Sequence, residues 1–131
     1  MVMNKIELHL PFPPRELSPN ARVDWFTRSR AAKDYRLSIS YLAVDVLNST
    51  QKHWVPPAKA VISLTFQYHL RRKRDYDNCI ASAIPLVNGL VDAGVLLADD
   101  SEHLEFGGIS IESGHQKQNE GVRVRVEKGE T

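Results

Sequence analysis

The sequence predicts an α/β fold: a single domain over residues 1–131, with one mixed β-sheet and two amphipathic helices in the order β-α-β-α-β-β. Three observations lead there. Four stretches alternate apolar and polar residues as half-buried strands do, two longer stretches repeat apolar residues at helical spacing, and Pro- or Gly-containing turns separate them. At 42% hydrophobic residues, a chain of 131 can fill one core. Such elements pack most simply as a layered α/β structure, and a right-handed crossover is expected of any β-α-β unit whose strands are parallel.

In the first strand, residues 5–12, Ile6, Leu8, Leu10 and Phe12 share one face and Lys5, Glu7 and His9 the other. Pro11, Pro13 and Pro14 end it. From Arg15 to about Trp25 the Ser18-Pro19-Asn20 turn chemistry predicts an irregular loop. A helix is predicted from about Thr27 to Asn48, with Tyr35, Ile39, Leu42 and Val46 at helical spacing and Ala31 and Ala43 nearby. Its first turns carry Arg28, Arg30, Lys33 and Arg36, which oppose the helix macrodipole, a cost that a phosphate-facing surface would explain. Residues 49–58, with Pro56-Pro57, form a linker.

The second strand, about 59–68, sets Ala60, Ile62, Leu64, Phe66 and Tyr68 against Val61, Ser63, Thr65 and Gln67. The second helix, about 78–93, places Ile80, Ile84, Val87 and Val91 on one face. Pro85 inside it removes a backbone donor, so a kink or a late start is expected, and Gly94 suits its C-terminal cap. In the third strand, about 103–111, Gly107-Gly108 shifts the parity as a bulge does. The last strand, about 121–127, points Val122, Val124 and Val126 inward and Arg123 and Arg125 outward.

The formal net charge of +1 hides a segregation along the chain. Residues 1–74 carry 13 Lys/Arg against 5 Asp/Glu, whereas residues 75–116 carry 8 Asp/Glu and no Lys or Arg. That pattern suggests a basic surface beside an acidic site. The one cysteine, Cys79, excludes an intramolecular disulfide and any multi-cysteine zinc site, and fits a reducing cytoplasm. No apolar run approaches the roughly 20 residues of a membrane span, and residues 1–14 lack the apolar stretch of a signal peptide. A cytoplasmic protein without a membrane partner is therefore expected. The five histidines show no metal-ligand spacing, no serine carries the surroundings of a Ser/His/Asp site, and no Gly-rich phosphate loop points to an organic cofactor.

The chemistry-bearing residues are Asp75, Asp77, Asp99 and Asp100. Magnesium is a hard ion that takes oxygen ligands and keeps some of its water, so two or three carboxylates plus a substrate phosphate make a natural site. Asp75 and Asp77 stand two residues apart after a strand, and a chain return after the second helix would bring Asp99-Asp100 to the same edge. On that reading Asp75, Asp77 and Asp100 converge on one divalent ion. The bland alternatives are a helix cap at Asp77 or Asn78 and a turn at Asp99-Asp100. The adjoining Arg71-Arg72-Lys73-Arg74 favours the site, since four cations beside carboxylates suit a polyanionic substrate.

At these residues the chain resembles the RusA family of Holliday-junction resolvases, common in prophages. The similarity rests on His9-Leu10-Pro11-Phe12-Pro13-Pro14, Ser18-Pro19-Asn20-Ala21-Arg22, Arg71-Arg72-Lys73-Arg74-Asp75-Tyr76-Asp77-Asn78, and Gly89-Leu90-Val91-Asp92-Ala93-Gly94-Val95-Leu96 leading to Asp99-Asp100. It implies a homodimer with a RusA-like mixed sheet, dependence on Mg²⁺ or Mn²⁺, and paired nicks across a four-way DNA junction in recombination and repair. It further implies catalytic, metal-binding roles for Asp75, Asp77 and Asp100, with Asp99 in support. DNA contacts are expected from Arg71, Arg72, Lys73 and Arg74, and from Arg22, Arg28, Arg30, Lys33 and Arg36. One departure stands out. The family usually carries a lysine in the first two turns after Asp-x-Asp-Asn, where this chain has Ala81 and Ile84. Lys73 or Arg74 takes that role, or the protein is a junction binder with weakened catalysis.

Overall fold

The strands form where apolar and polar residues alternate. In the computed structural model, which describes residues 3–50 and 53–130, they are β1 (Lys5–Leu10), β2 (Ala60–Gln67), β3 (Leu104–Glu112) and β4 (Gly121–Lys128). Ile6, Leu8 and Leu10, then Ala60, Ile62, Leu64 and Phe66, then Val122, Val124 and Val126 are all buried on one face, as their parity predicts. The opposite face is polar, and on it Arg125 meets Glu7 at 2.9 Å.

The sheet order is β1-β4-β2-β3. β4 is antiparallel to both β1 and β2, and β2 is parallel to β3. The register between β2 and β3 slips as Ile62 pairs with Phe106 and Ser63 with Gly108, leaving Gly107 as the extra residue, so the predicted bulge is there. A Cβ on Gly107 would come within 2.7 Å of Val61 Cγ1, so the bulge needs glycine at that position. The result is a single α/β domain around a four-stranded mixed sheet, with one core cluster uniting sheet and helices.

The first helix, α1 (Trp25–Ser49), starts two residues earlier than the pattern predicts, because the Asp24 carboxylate accepts a 2.7 Å hydrogen bond from Thr27 N and caps it. The preceding loop contains a single 3₁₀ turn, Arg15–Leu17. Tyr35, Ile39 and Ala43 are the buried residues of α1, whereas Leu42, expected on the core face, lies at its flank and is 42% exposed. Of the predicted linker, residues 51–52 lie outside the described residues.

The second predicted helix is two helices, α2 (Tyr76–Ser82) and α3 (Ile84–Asp92), hinged at Ala83. The Pro85 ring has no N–H to donate, so it sits in the first turn of α3, and the kink expected of it is observed. The buried face is Cys79, Ala83, Leu86, Val87 and Leu90; of the predicted Ile80, Ile84, Val87 and Val91, Val87 is buried, Val91 is partly buried and the two isoleucines are exposed. Ile84 is 58% exposed. Helix α3 lies tight on α1 because Gly89 has no side chain: a Cβ there would stand 2.7 Å from the Arg36 carbonyl oxygen.

Candidate nucleic-acid and metal site

Just beyond the C-terminal end of β2, Tyr68 extends the strand's inward parity and begins an ordered stack. Its ring lies on Phe12 with centroids 4.5 Å apart, and the Arg74 guanidinium sits 3.6 Å from the Tyr68 centroid. Arg74 also donates to the Leu70 carbonyl at 3.1 Å, so this one cation of the basic run is fixed in place. Burial, and the Cys79 thiol 3.8 Å from its hydroxyl, push the Tyr68 phenol above its ordinary range. The side chains of Arg71, Arg72 and Lys73 are exposed and make no ion pair or hydrogen bond among the described residues.

Lys73, Arg74, Asp75, Asn78 and Ser82 line a cleft of about 370 Å³ together with Ser18 and Asn20 from the loop before α1. Two segments more than fifty residues apart in sequence are thereby brought to one place. Asp75 occupies the N-cap position of α2, yet its carboxylate makes no capping bond and, among the described residues, meets only Asn78 Nδ2, at 3.5 Å. Asp77 accepts from the Asn78 N–H at 3.0 Å. Both carboxylates are exposed, and neither is paired with a cation among the described residues. Asp75 lines the cleft and Asp77 does not; an exposed carboxylate at a polar cleft suits a hard divalent ion whose remaining ligands are water and phosphate.

Asp99 and Asp100 stand elsewhere. Because β3 runs parallel to β2, its start lies beside the start of β2: Ala60 N–H bonds the His103 carbonyl, and the Lys59 ammonium bonds the Ser101 carbonyl. The seven steps from Ala60 to Gln67 span about 23 Å of strand, with Asp100 at one end and Asp75 beyond the other. The expected chain return to the same edge does not occur, since α2 and α3 carry the chain to the opposite end of the sheet before β3 begins. Within one chain the four aspartates therefore do not converge.

The described group whose potential ligand atoms lie within 4.8 Å of one another is Asp100, Glu102 and His103. It reads better as a turn than as a metal cage. Asp100 Oδ1 already accepts from Glu102 N at 3.0 Å, His103 N at 3.1 Å and His103 Nδ1 at 2.7 Å. The His103 bond foremost holds the Asp100 carboxyl below its ordinary value. An imidazole is also a poor partner for magnesium.

Not every predicted DNA-contacting cation is free. Arg28 donates to the Ser18 and Ala21 carbonyls at 3.1 and 3.0 Å and so holds the loop that lines the cleft. Arg36 makes a two-pronged pair with Asp92 at 2.6 and 2.8 Å, tying α1 to α3. That bond lowers the Asp92 carboxyl and raises the Arg36 guanidinium relative to their ordinary values. Arg22, Arg30 and Lys33 are exposed. Sequence reasoning missed Tyr68 as the support of Arg74 and missed Ser18 and Asn20 as a wall of the cleft; only the continued parity past Phe66 hinted at the former.

No family model matches the chain. The chain is similar to an uncharacterized protein of Xylella fastidiosa (strain Temecula1 / ATCC 700964), with 34% identity over 88 residues. The match covers 66% of this chain and 56% of that protein, so the chain spans little more than half the length of this relative. No described helix is long and apolar enough to cross a membrane.

Proposed function

We propose that the protein is a divalent-metal-dependent endonuclease that nicks branched DNA, with four-way junctions as its substrate and a homodimer as its working form. One observation carries this reading: the Asp75 carboxylate, in no ion pair among the described residues, lines a polar cleft directly after a run of four cations, with Asp77 two residues further on. In this role Arg71, Arg72 and Lys73 supply mobile, salt-sensitive attraction to the DNA backbone, and the fixed Arg74 orients one phosphate at the cleft. Asp75 and Asp77 would hold Mg²⁺ or Mn²⁺, which when bound polarises a phosphodiester oxygen and acidifies a water. Asp99 and Asp100, at the other end of the sheet, lie outside the site that one chain forms.

The test is a nicking assay on a synthetic four-way junction and a matched linear duplex, with and without Mg²⁺. Metal-dependent nicks in the junction alone are expected. Equal cutting of both substrates would remove the structural selectivity, and no cutting with either metal would remove the nuclease reading. A second reading, a junction-binding protein with weakened cleavage, is favoured by the absence of any Lys or Arg between residues 75 and 116, including positions 81 and 84 on the site's own helices. Tight junction binding without nicking is its expected signature.

A further inference from the structure

We propose that a groove leading away from the Asp75 cleft takes an unpaired DNA strand, whose bases stack on the exposed pair Trp25 and Phe26 at the start of α1. The proposal rests on the nuclease reading only in taking DNA as the ligand, and it requires no metal and no cleavage.

Two aromatic rings in the first turn of α1 have no part in the core. Trp25 and Phe26 are 73% and 79% exposed, and neither belongs to the core cluster or packs against it. They are placed all the same. The Asp24 carboxylate caps the helix at Thr27 N, and the two rings meet edge to face with centroids 5.3 Å apart. An adjacent aromatic pair left this far in water marks a contact surface.

The surroundings select the ligand. Ser18 and Asn20, which line the Asp75 cleft, also line a neighbouring hollow with Arg22. Arg15 lines that hollow and a further one, of about 600 Å³, which holds Phe26 and Arg30. Hollows that share walls make one groove, running from Arg74 past Arg22 and Arg15 to Phe26. Arg22 and Arg30 make no ion pair among the described residues, and Arg15 meets the adjacent Glu16 only loosely, at 3.6 Å. Glu16, Asp24 and Asp34 also line the far hollow, so attraction for phosphate weakens toward Phe26 and stacking must hold the strand there. Cations along a groove and rings at its end suit an unpaired strand, with charge following the phosphates and the rings taking the bases. A duplex keeps its base faces inside and cannot use the rings. Arg28 donates to the Ser18 and Ala21 carbonyls, which ties the loop in the middle of the groove to α1 before any strand arrives.

Fluorescence of the full chain in EDTA tests the groove, with a short oligo(dT) as the probe. The chain has two tryptophans and Trp54 is 8% exposed, so Trp25 is the reporter. Oligo(dT) should quench the wild type, and Trp25→Leu should remove the quench. Trp25→Leu and Phe26→Leu should each weaken binding at least about fivefold, read from the anisotropy of a labelled strand, and leave a matched duplex and the melting temperature unaffected. Arg22→Ala should lower the slope of log affinity against log salt by roughly 0.7, one phosphate of a single strand, while Trp25→Leu keeps the slope. No quench at saturation, or an equal loss for strand and duplex, overturns the proposal. So does a Trp25-dependent dimer in light scattering without DNA, which would give the rings to a second copy. A wild type that never nicks a junction removes the nuclease reading and leaves the strand-binding result standing.

Discussion

The two ends of the sheet use the same kinds of polar residue in opposite ways. At the end where β2 finishes, Asp75, Asp77, Arg71, Arg72 and Lys73 present charge that makes no ion pair among the described residues, and even Arg74 is held by an aromatic stack and carbonyls. At the end where β2 and β3 begin, Asp100 is engaged by three donors, Lys59 reaches the Ser101 carbonyl, and the Trp54 indole donates to the Val95 carbonyl at 3.0 Å. Polar groups that the fold does not need are free to meet a ligand. Those it does need report on stability first. The difference predicts that mutations at the two ends separate into activity losses and stability losses.

The largest effect is expected at the engaged end. Trp54 is 8% exposed and combines a large buried surface with a buried hydrogen bond, so Trp54→Ala should cost about 3–5 kcal/mol in urea unfolding. A loss under 1 kcal/mol would show that this end is not anchored through Trp54. Next comes Asp77→Asn at the other end. It should lower nicking by at least ~10²-fold, the scale of losing one preorganised electrostatic contact, while junction affinity holds or rises and the melting temperature stays unchanged. A D77N protein that nicks at the wild-type rate would rule Asp77 out as a ligand.

Much of this contrast was hidden from the sequence, for reasons that particular residues make plain. Strand parity is local, so Ile6, Leu8 and Leu10 and the valines of β4 fell on their predicted face, and Gly107 and Pro85 marked the bulge and the break. The face of α2 and α3 was not legible, because both Cys79-Ala83-Leu86-Leu90 and Ile80-Ile84-Val87-Val91 are apolar at helical spacing. Packing against α1 chose between them, through Gly89. The location of Asp100 depended on strand direction, which no local pattern encodes. Nor did charge reveal that Arg28 and Arg36 are bound within the fold while Arg71 and Arg72 are not.

Those four arginines give a smaller, sharper comparison. Replacing Arg71 and Arg72 together with Ala should reduce the slope of log affinity against log salt for a DNA duplex by roughly 2, with no change in melting temperature. Replacing Arg28 and Arg36 should lower the melting temperature and leave most of that slope intact, because their charges are turned toward Ser18, Ala21 and Asp92. Equal slopes for the two double variants would mean that engagement within the fold does not decide which cations the DNA meets.

The smallest effect isolates Asp100. Its carboxyl sits below the ordinary 3.8, chiefly through the bond from His103, so the native state favours the ionised form. A depressed carboxyl adds stability that is fully present above the unfolded-state value and is lost as pH falls through the native one. The Asp100→Asn protein keeps an oxygen for the backbone N–H groups of Glu102 and His103 but loses the charge facing the imidazole. Its melting temperature should therefore lie below that of the wild type at pH 5–6, and the gap should close as pH drops below 3.8. Asp75→Asn is the control, because among the described residues its carboxylate meets nothing nearer than Asn78 Nδ2 at 3.5 Å. Melting curves of the three proteins over that range decide the matter. A gap for D100N that is independent of pH would mean that the carboxylate charge at the start of β3 does not support the turn, and Asp100 would then be as free for a ligand as Asp75.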